Sequence, residues 1–342
     1  MYEELSFLKE NYFDHSHIPT WDEMPVQDEL FVEVWKEYIE DIPQKGLFEA
    51  LSRRLVQLSF PVQEGMSRNP DYLLATRRGI STLNMKAATG CDFQDISGTK
   101  IYLHKTLAGH IPVIETGNRK DFETLVRVFS YRNEPVSIPA SMGACMIKGY
   151  NNWDRVSRYR EKCGESFSFE LMKAHRELYQ DTFLILTDAE YSGVPAHMLN
   201  LETDEWRRLS VIIRREHEST HYFTYRIMGS ARNHLLDEFI ADYMGIVSAA
   251  GRYRKDWFMA FMGLENYPNY RTGGRLTNYL QGVELSVEAF EKLKKYIKDA
   301  AENVAVYTNQ AENVYSPRGK YDMLLRLSKT NLLELAGAKA EA

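Results

Sequence analysis

The sequence predicts an α+β fold, mostly helical with one small mixed sheet. Three observations lead there. Leucine and aromatic stripes at spacings of three and four recur through the first 80 residues. From about residue 98 to residue 187 the texture changes to short apolar runs that read as strands. Past residue 200 long helical stripes return and persist almost to the C-terminus.

Taken in order, residues 1–26 are aromatic and irregular, and Asp14-His15-Ser16-His17 reads as a surface loop, because histidines two apart share no helix face. Residues 27–41 form an amphipathic helix with Leu30, Phe31, Val34, Trp35 and Tyr38 on one side, and residues 46–58 another with Leu47, Phe48, Leu51, Leu55 and Leu58. Pro70 opens a short helix that ends near Gly79. Residues 100–104 and 111–114 read as strands, Asp121 to Tyr131 as a helix, and Val136 to Ile147 as a strand broken near Gly143. Residues 149–154 read as a polar turn that could wall a substrate cleft. A helix over 166–179 precedes the clearest strand, 182–187. The loop 267–275 offers Arg271 and Arg275 as candidate anion holders, although arginines in such a loop are more often solvated surface groups. Ser286 caps a long helix, and a last helix runs from about Lys320 to Leu335. The expected organisation is a helical region over 1–97 followed by a region over 98–342 that holds the sheet and the helices described next, with no linker between them.

Composition narrows the function. The 42 basic and 48 acidic residues give a net charge of −6, which argues against a nucleic-acid surface. Cys91, Cys145 and Cys163 are odd in number and widely spaced, so neither a disulfide framework nor a C-x-x-C metal knuckle is expected. No basic n-region with an apolar h-region opens the chain and no run of about 18 apolar residues occurs, so a cytoplasmic protein without a membrane span is expected.

The chemistry concentrates in Arg214-Arg215-Glu216-His217-Glu218-Ser219-Thr220-His221. Within it His217, Glu218 and His221 spell H-E-x-x-H. Four residues apart on a helix, His217 and His221 share a face and can bind one metal ion. Glu218 lies about 100° round the helix, where it can reach water beside a metal without ligating the metal. The helix is expected over 204–228, started by Thr203, Asp204 and Glu205 and stopped by Gly229. Its apolar stripe runs Leu209, Ile212, Ile213, His217, His221, Tyr225 and Met228, which turns both histidines inward. The arginine pairs 207–208 and 214–215 fall on the expected solvated face.

A second helix should follow a short turn, with Asn233 as N-cap and His234 to Ile246 as its body. Glu238 and Asp242 are one turn apart on its apolar stripe with Leu235, Phe239 and Ile246. Acids on an inward stripe need partners. Glu238 as third metal ligand and Asp242 as acceptor for a histidine N–H would satisfy both.

H-E-x-x-H, a turn, and a helix bearing E-x-x-x-D resemble the gluzincin, thermolysin-like zinc metallopeptidases over about residues 204–246. The resemblance implies a zincin-like fold with the sheet next to the active-site helix, zinc held by His217, His221 and Glu238, Glu218 as general base, and Asp242 orienting a ligand histidine. It also implies a peptide or protein substrate hydrolysed by metal-activated water. Only sixteen residues separate His221 from Glu238, fewer than is usual in that family, so the turn must be tight. In zincins an edge strand lines the cleft, and the strand 182–187 is the candidate here. Tyr225, Tyr243, His234, Arg271 and Arg275 are all candidate donors to the oxyanion. Three other functions fit the motif: a zinc hydrolase of a non-peptide amide or ester, a zincin-shaped binding or regulatory protein without turnover, and a structural site closed by a fourth ligand such as His234.

Overall fold

The protein is described from a computed structural model, over residues 4–280 and 282–337. It is α+β, mainly helical, with one four-stranded sheet. The chain divides into two compact units, Gln27–Asp188 and Met1–Val26 with Ala189–Ala342. Residue 97, the expected end of a helical N-terminal region, lies inside the first of these.

The Gln27–Asp188 unit contains the helices α1 (Phe31–Lys45), α2 (Leu47–Ser52), α3 (Pro70–Arg78), α4 (Arg119–Ser130), α5 (Trp153–Cys163) and α6 (Phe169–Lys173), and the strands β1 (Lys100–Thr106), β2 (Gly109–Thr116), β3 (Ala144–Asn151) and β4 (Gln180–Thr187). The sheet order is β1-β2-β4-β3. β1 and β2 form an antiparallel hairpin, β2 and β4 run parallel, and β3 returns antiparallel to β4. Phe31, Trp35 and Tyr38 of α1 and Phe122, Leu125 and Val126 of α4 pack with Ile114, Phe183 and Ile185 of the sheet into one core. Leu30, expected on the buried stripe of α1, is exposed instead, and Val32 takes its place. Inside this unit Asp181 is fully buried and accepts from Trp35 Nε1 at 2.9 Å, Asn152 Nδ2 at 2.7 Å and Arg155 Nη1 at 2.7 Å. A buried carboxylate so paired fixes α1, α5 and β4 to one another.

Several boundaries differ from the expected ones, for physical reasons. β4 is an internal strand, hydrogen-bonded on both sides, so it cannot be the free edge that pairs with an extended substrate. Residues 136–143 are not strand, because Pro135 and Pro139 cannot donate to a ladder. The expected turn at 149–154 is the end of β3 and the start of α5, with the Asn152 side chain accepting from the backbone of Asp154 and Arg155. The expected helix over 166–179 shrinks to α6 between short 3₁₀ turns: Met172 is buried while Leu171 is 72% exposed, so no continuous apolar face drives a longer helix.

The other unit holds α7 (Thr203–Met228), α8 (Leu235–Ala250), α9 (Lys255–Met262), α10 (Val287–Gln310), α11 (Pro317–Ser328) and α12 (Leu332–Leu335). α7 ends at Gly229, whose φ of 67° supplies the left-handed cap. Ser286 caps α10 as expected. The last expected helix is two helices, because Ser316 and Pro317 start α11 earlier and Asn331, with Glu334 in a capping box, starts α12 afresh. Among the described residues no helix is long and apolar enough to cross a membrane.

Candidate metal centre

The buried face of α7 runs Trp206, Ser210, Ile213, His217, His221, Thr224 and Met228. It is rotated slightly from the expected stripe: Tyr225 points outward at 45% exposed, and Trp206 is buried. α8 is buried along almost its whole length, from Leu235 to Val247. The two helices approach closely at Gly245, where an added Cβ would sit 2.8 Å from the Ile213 carbonyl oxygen. Ile213 lies one turn before His217, so this close approach brings the acids of α8 against the histidines of α7.

The result is a buried group of His217, His221 and Glu238 that could hold a metal ion, its donor atoms all within 4.8 Å of one another. His217 Nε2 and His221 Nε2 are 3.1 Å apart. Glu238 reaches both, Oε2 at 3.4 Å from His217 Nε2 and Oε1 at 3.5 Å from His221 Nε2. The tight turn required by the short spacing exists: Gly229 ends α7 and His234 caps α8. Glu218 is half-buried and lies outside the donor group.

Behind the donors, Asp242 Oδ1 is 3.0 Å from His217 Nδ1. Asp242 also accepts from the Tyr191 hydroxyl at 2.7 Å and pairs through Oδ2 with the Arg275 guanidinium. Arg275 Nη1 donates to the Tyr191 hydroxyl at 3.3 Å and lies 3.8 Å from Glu238 Oε2. Tyr279 is buried against the same group, its ring centroid 6.0 Å from the Arg275 guanidinium.

The electrostatics follow from this packing. Burial alone would push the His217 imidazolium toward deprotonation, but hydrogen bonds to Asp242 and Glu238 outweigh it and raise its pKa to about 10. Burial opposes the Glu238 carboxylate too, yet the two histidines hold its pKa well below the ordinary value. For Asp242 the burial penalty is overcome by the Arg275 charge and by His217, and its pKa is lowered. Burial raises the Tyr191 phenol well above its usual range, so it stays a neutral donor.

A scan of known families gives one match, to residues 1–339, described as a family of unknown function, DUF7005. The chain belongs to that family. No curated protein and no solved structure matches it.

The remaining expected residues of this family member divide clearly. His234 is not the first helical residue but the N-cap of α8, in place of Asn233, whose side chain donates instead to the Asn278 carbonyl. The Leu236 N–H donates to His234 Nδ1 at 3.3 Å, which leaves Nε2 to donate to the Phe7 carbonyl at 2.9 Å. With both ring nitrogens engaged, His234 is not free to close the site as a fourth ligand. Arg271 is tied to Glu265 and the Ala260 carbonyl. Tyr243 is buried with its hydroxyl unpartnered, and no contact joins it to the donors.

Two arginines read as solvated are buried. Arg275 is only 12% exposed at its side chain. Arg214 is 3% exposed, donates to the backbone carbonyls of Ala189 and Glu190, and stacks its guanidinium over the Tyr191 ring. Arg214 therefore holds the turn that delivers Tyr191. Its signal was in the sequence, three residues before His217 and so on the same face. Tyr191 lies on no periodic stripe, and only its place just after the strand 182–187, the candidate cleft strand, hinted at it.

Proposed function

We propose that this protein is a zinc-dependent metallopeptidase of the gluzincin type, with His217, His221 and Glu238 holding zinc and Glu218 as general base. One observation carries the reading: two imidazoles and a carboxylate converge at a buried point, backed by a carboxylate on the far nitrogen of one imidazole. The spacing suits a small tetrahedral ion such as zinc. A tetrahedral ion with nitrogen and oxygen donors at about 2.0–2.1 Å sets those donors roughly 3.3–3.4 Å apart. The separations here are 3.1, 3.4 and 3.5 Å. Calcium and magnesium prefer all-oxygen shells, which two imidazoles do not supply.

When bound, zinc supplies a Lewis acid and brings the pKa of water toward about 7. The chain supplies the rest. With zinc bound, Asp242 would accept the His217 Nδ1 proton and leave Nε2 as the ligating nitrogen. Glu218, outside the donor set, has the role of taking a proton from attacking water and passing it to the leaving nitrogen. That the scissile bond is a peptide bond rests on the resemblance of H-E-x-x-H and the E-x-x-x-D helix to peptidases.

The test is Glu218→Gln, with zinc content and turnover of a peptide library measured on the same sample. Zinc and fold should be retained and hydrolysis should fall by about 10²-fold or more. Turnover within a few-fold of wild type would rule out the mechanism. No turnover by either protein would favour a binding or regulatory role, and turnover of small amides or esters alone would move the substrate class.

A further inference from the structure

The resemblance accounts for α7 and α8 and stops there. A third segment, residues 263–279, also reaches the metal centre, and its arginine is oddly employed. Both terminal nitrogens of Arg275 are committed, Nη2 to Asp242 and Nη1 to the Tyr191 hydroxyl, while its Nε is buried without a partner. An arginine so committed is not a free donor to substrate. It is a brace, and Asp242, which it braces, is the group that fixes His217.

The chain places this brace by a backbone crossing. An added Cβ on Gly274 would sit 2.5 Å from the Gly263 Cα and 2.6 Å from the Met262 carbonyl oxygen. Gly263 itself has φ of 80°, and its Cβ would meet the Gly274 Cα at 2.8 Å. Hydrogen bonds from Arg271 N to the Gly263 carbonyl at 2.7 Å and from Gly274 N to the Arg271 carbonyl at 2.9 Å lock the loop. The residue after the crossing is Arg275, and Tyr279 follows one turn later, its ring centroid 6.0 Å from the Arg275 guanidinium. Two glycines, which alone permit such an approach, thus deliver the Arg275 side chain onto the partner of a ligand histidine.

We propose that Arg275 is a positioning residue of the metal centre, acting through Asp242 to hold His217 in its ligating orientation, with the Gly263–Gly274 crossing as the device that holds Arg275. Tyr191, held by Arg214, is the matching brace on the other side. The inference rests on the proposed zinc site but not on catalysis.

The experiment compares full-length wild type, Arg275→Met and Arg275→Lys. Zinc affinity is measured by competition with a chromogenic chelator, the visible absorption of each cobalt-loaded protein is recorded, and circular dichroism of the metal-free proteins monitors folding. Arg275→Met should bind zinc about 10- to 100-fold more weakly, as loss of an outer partner of a ligand does, and should change the cobalt spectrum. Arg275→Lys keeps one charge contact with Asp242 but cannot span Asp242 and Tyr191 together, so it should recover part of the affinity. If Arg275→Met does not fold, Arg275→Lys alone decides, and weaker zinc with an altered cobalt spectrum supports the proposal. A folded variant with wild-type zinc affinity and an unchanged cobalt spectrum overturns it. Wild type that takes up no zinc overturns the zinc site itself, and this inference with it.

Discussion

His217 is held at both ring nitrogens, by Asp242 on one side and by the donor group on the other. Replacing Asp242 with Asn keeps the shape but removes the charge that the imidazole N–H and Arg275 both use. Asp242→Asn should therefore bind zinc roughly 10- to 100-fold more weakly without losing the fold. Chelator competition together with circular dichroism reads both, and wild-type affinity in the variant would remove the orienting role. At this scale the sequence was informative wherever residues shared one helix face. The spacing of His217, His221, Glu238 and Asp242 was legible because helical periodicity relates residues three and four apart. Tyr191 and Arg275 were not, because each reaches the site from a separate loop and neither lies on a periodic stripe. Arg275 was weighed as a solvated surface group or a donor to substrate, not as a partner of Asp242, and the glycines of its loop are what allow it to fold inward.

Between elements, the contact that matters most is Gly245 of α8 against Ile213 of α7. Any side chain there must push the helices apart or displace the Ile213 side chain, 3.0 Å from the added Cβ. Gly245→Val should destabilise the protein by roughly 1–3 kcal/mol, the usual cost of overpacking. It should also weaken zinc binding, because the same displacement moves Glu238 and Asp242 away from the histidines. Urea unfolding of the metal-free variant and chelator competition test the two effects, and a variant matching wild type in both would show that this approach does not set the site. Elements with strong periodicity and a clear start or stop signal were legible in the sequence: α3 and α7 nearly to their ends, and α10 at its Ser286 cap. Those held by few buried side chains were not: α5 buries only Arg155 and Val156, and its charged surface gives no apolar signal. Strand order was equally hidden, since a fully buried run such as Asp181–Thr187 looks alike at the centre or the edge of a sheet.

For the whole molecule, the metal centre couples pH to stability. Without metal, His217 has its pKa raised to about 10 in the folded chain from an ordinary 6.5. Its stabilising contribution is therefore complete below about pH 6.5 and is lost as pH rises through about 10. Glu238 and Asp242 have lowered values, so their contributions are present above the ordinary carboxylate range and are lost on acidification. Zinc reverses the alkaline trend, because it requires the unprotonated imidazole and competes with the proton. Urea midpoints should fall from about pH 6.5 to about pH 9 for the metal-free protein and should not fall in excess zinc. Parallel curves with and without zinc would mean that His217 does not exchange a proton for metal. The most direct test of the metal centre is elemental analysis of protein purified without a histidine tag, for wild type and His217→Ala after incubation with zinc and removal of the excess. Wild type should carry one zinc per chain and His217→Ala almost none; a zinc-free wild type, or full stoichiometry in His217→Ala, would contradict the assignment.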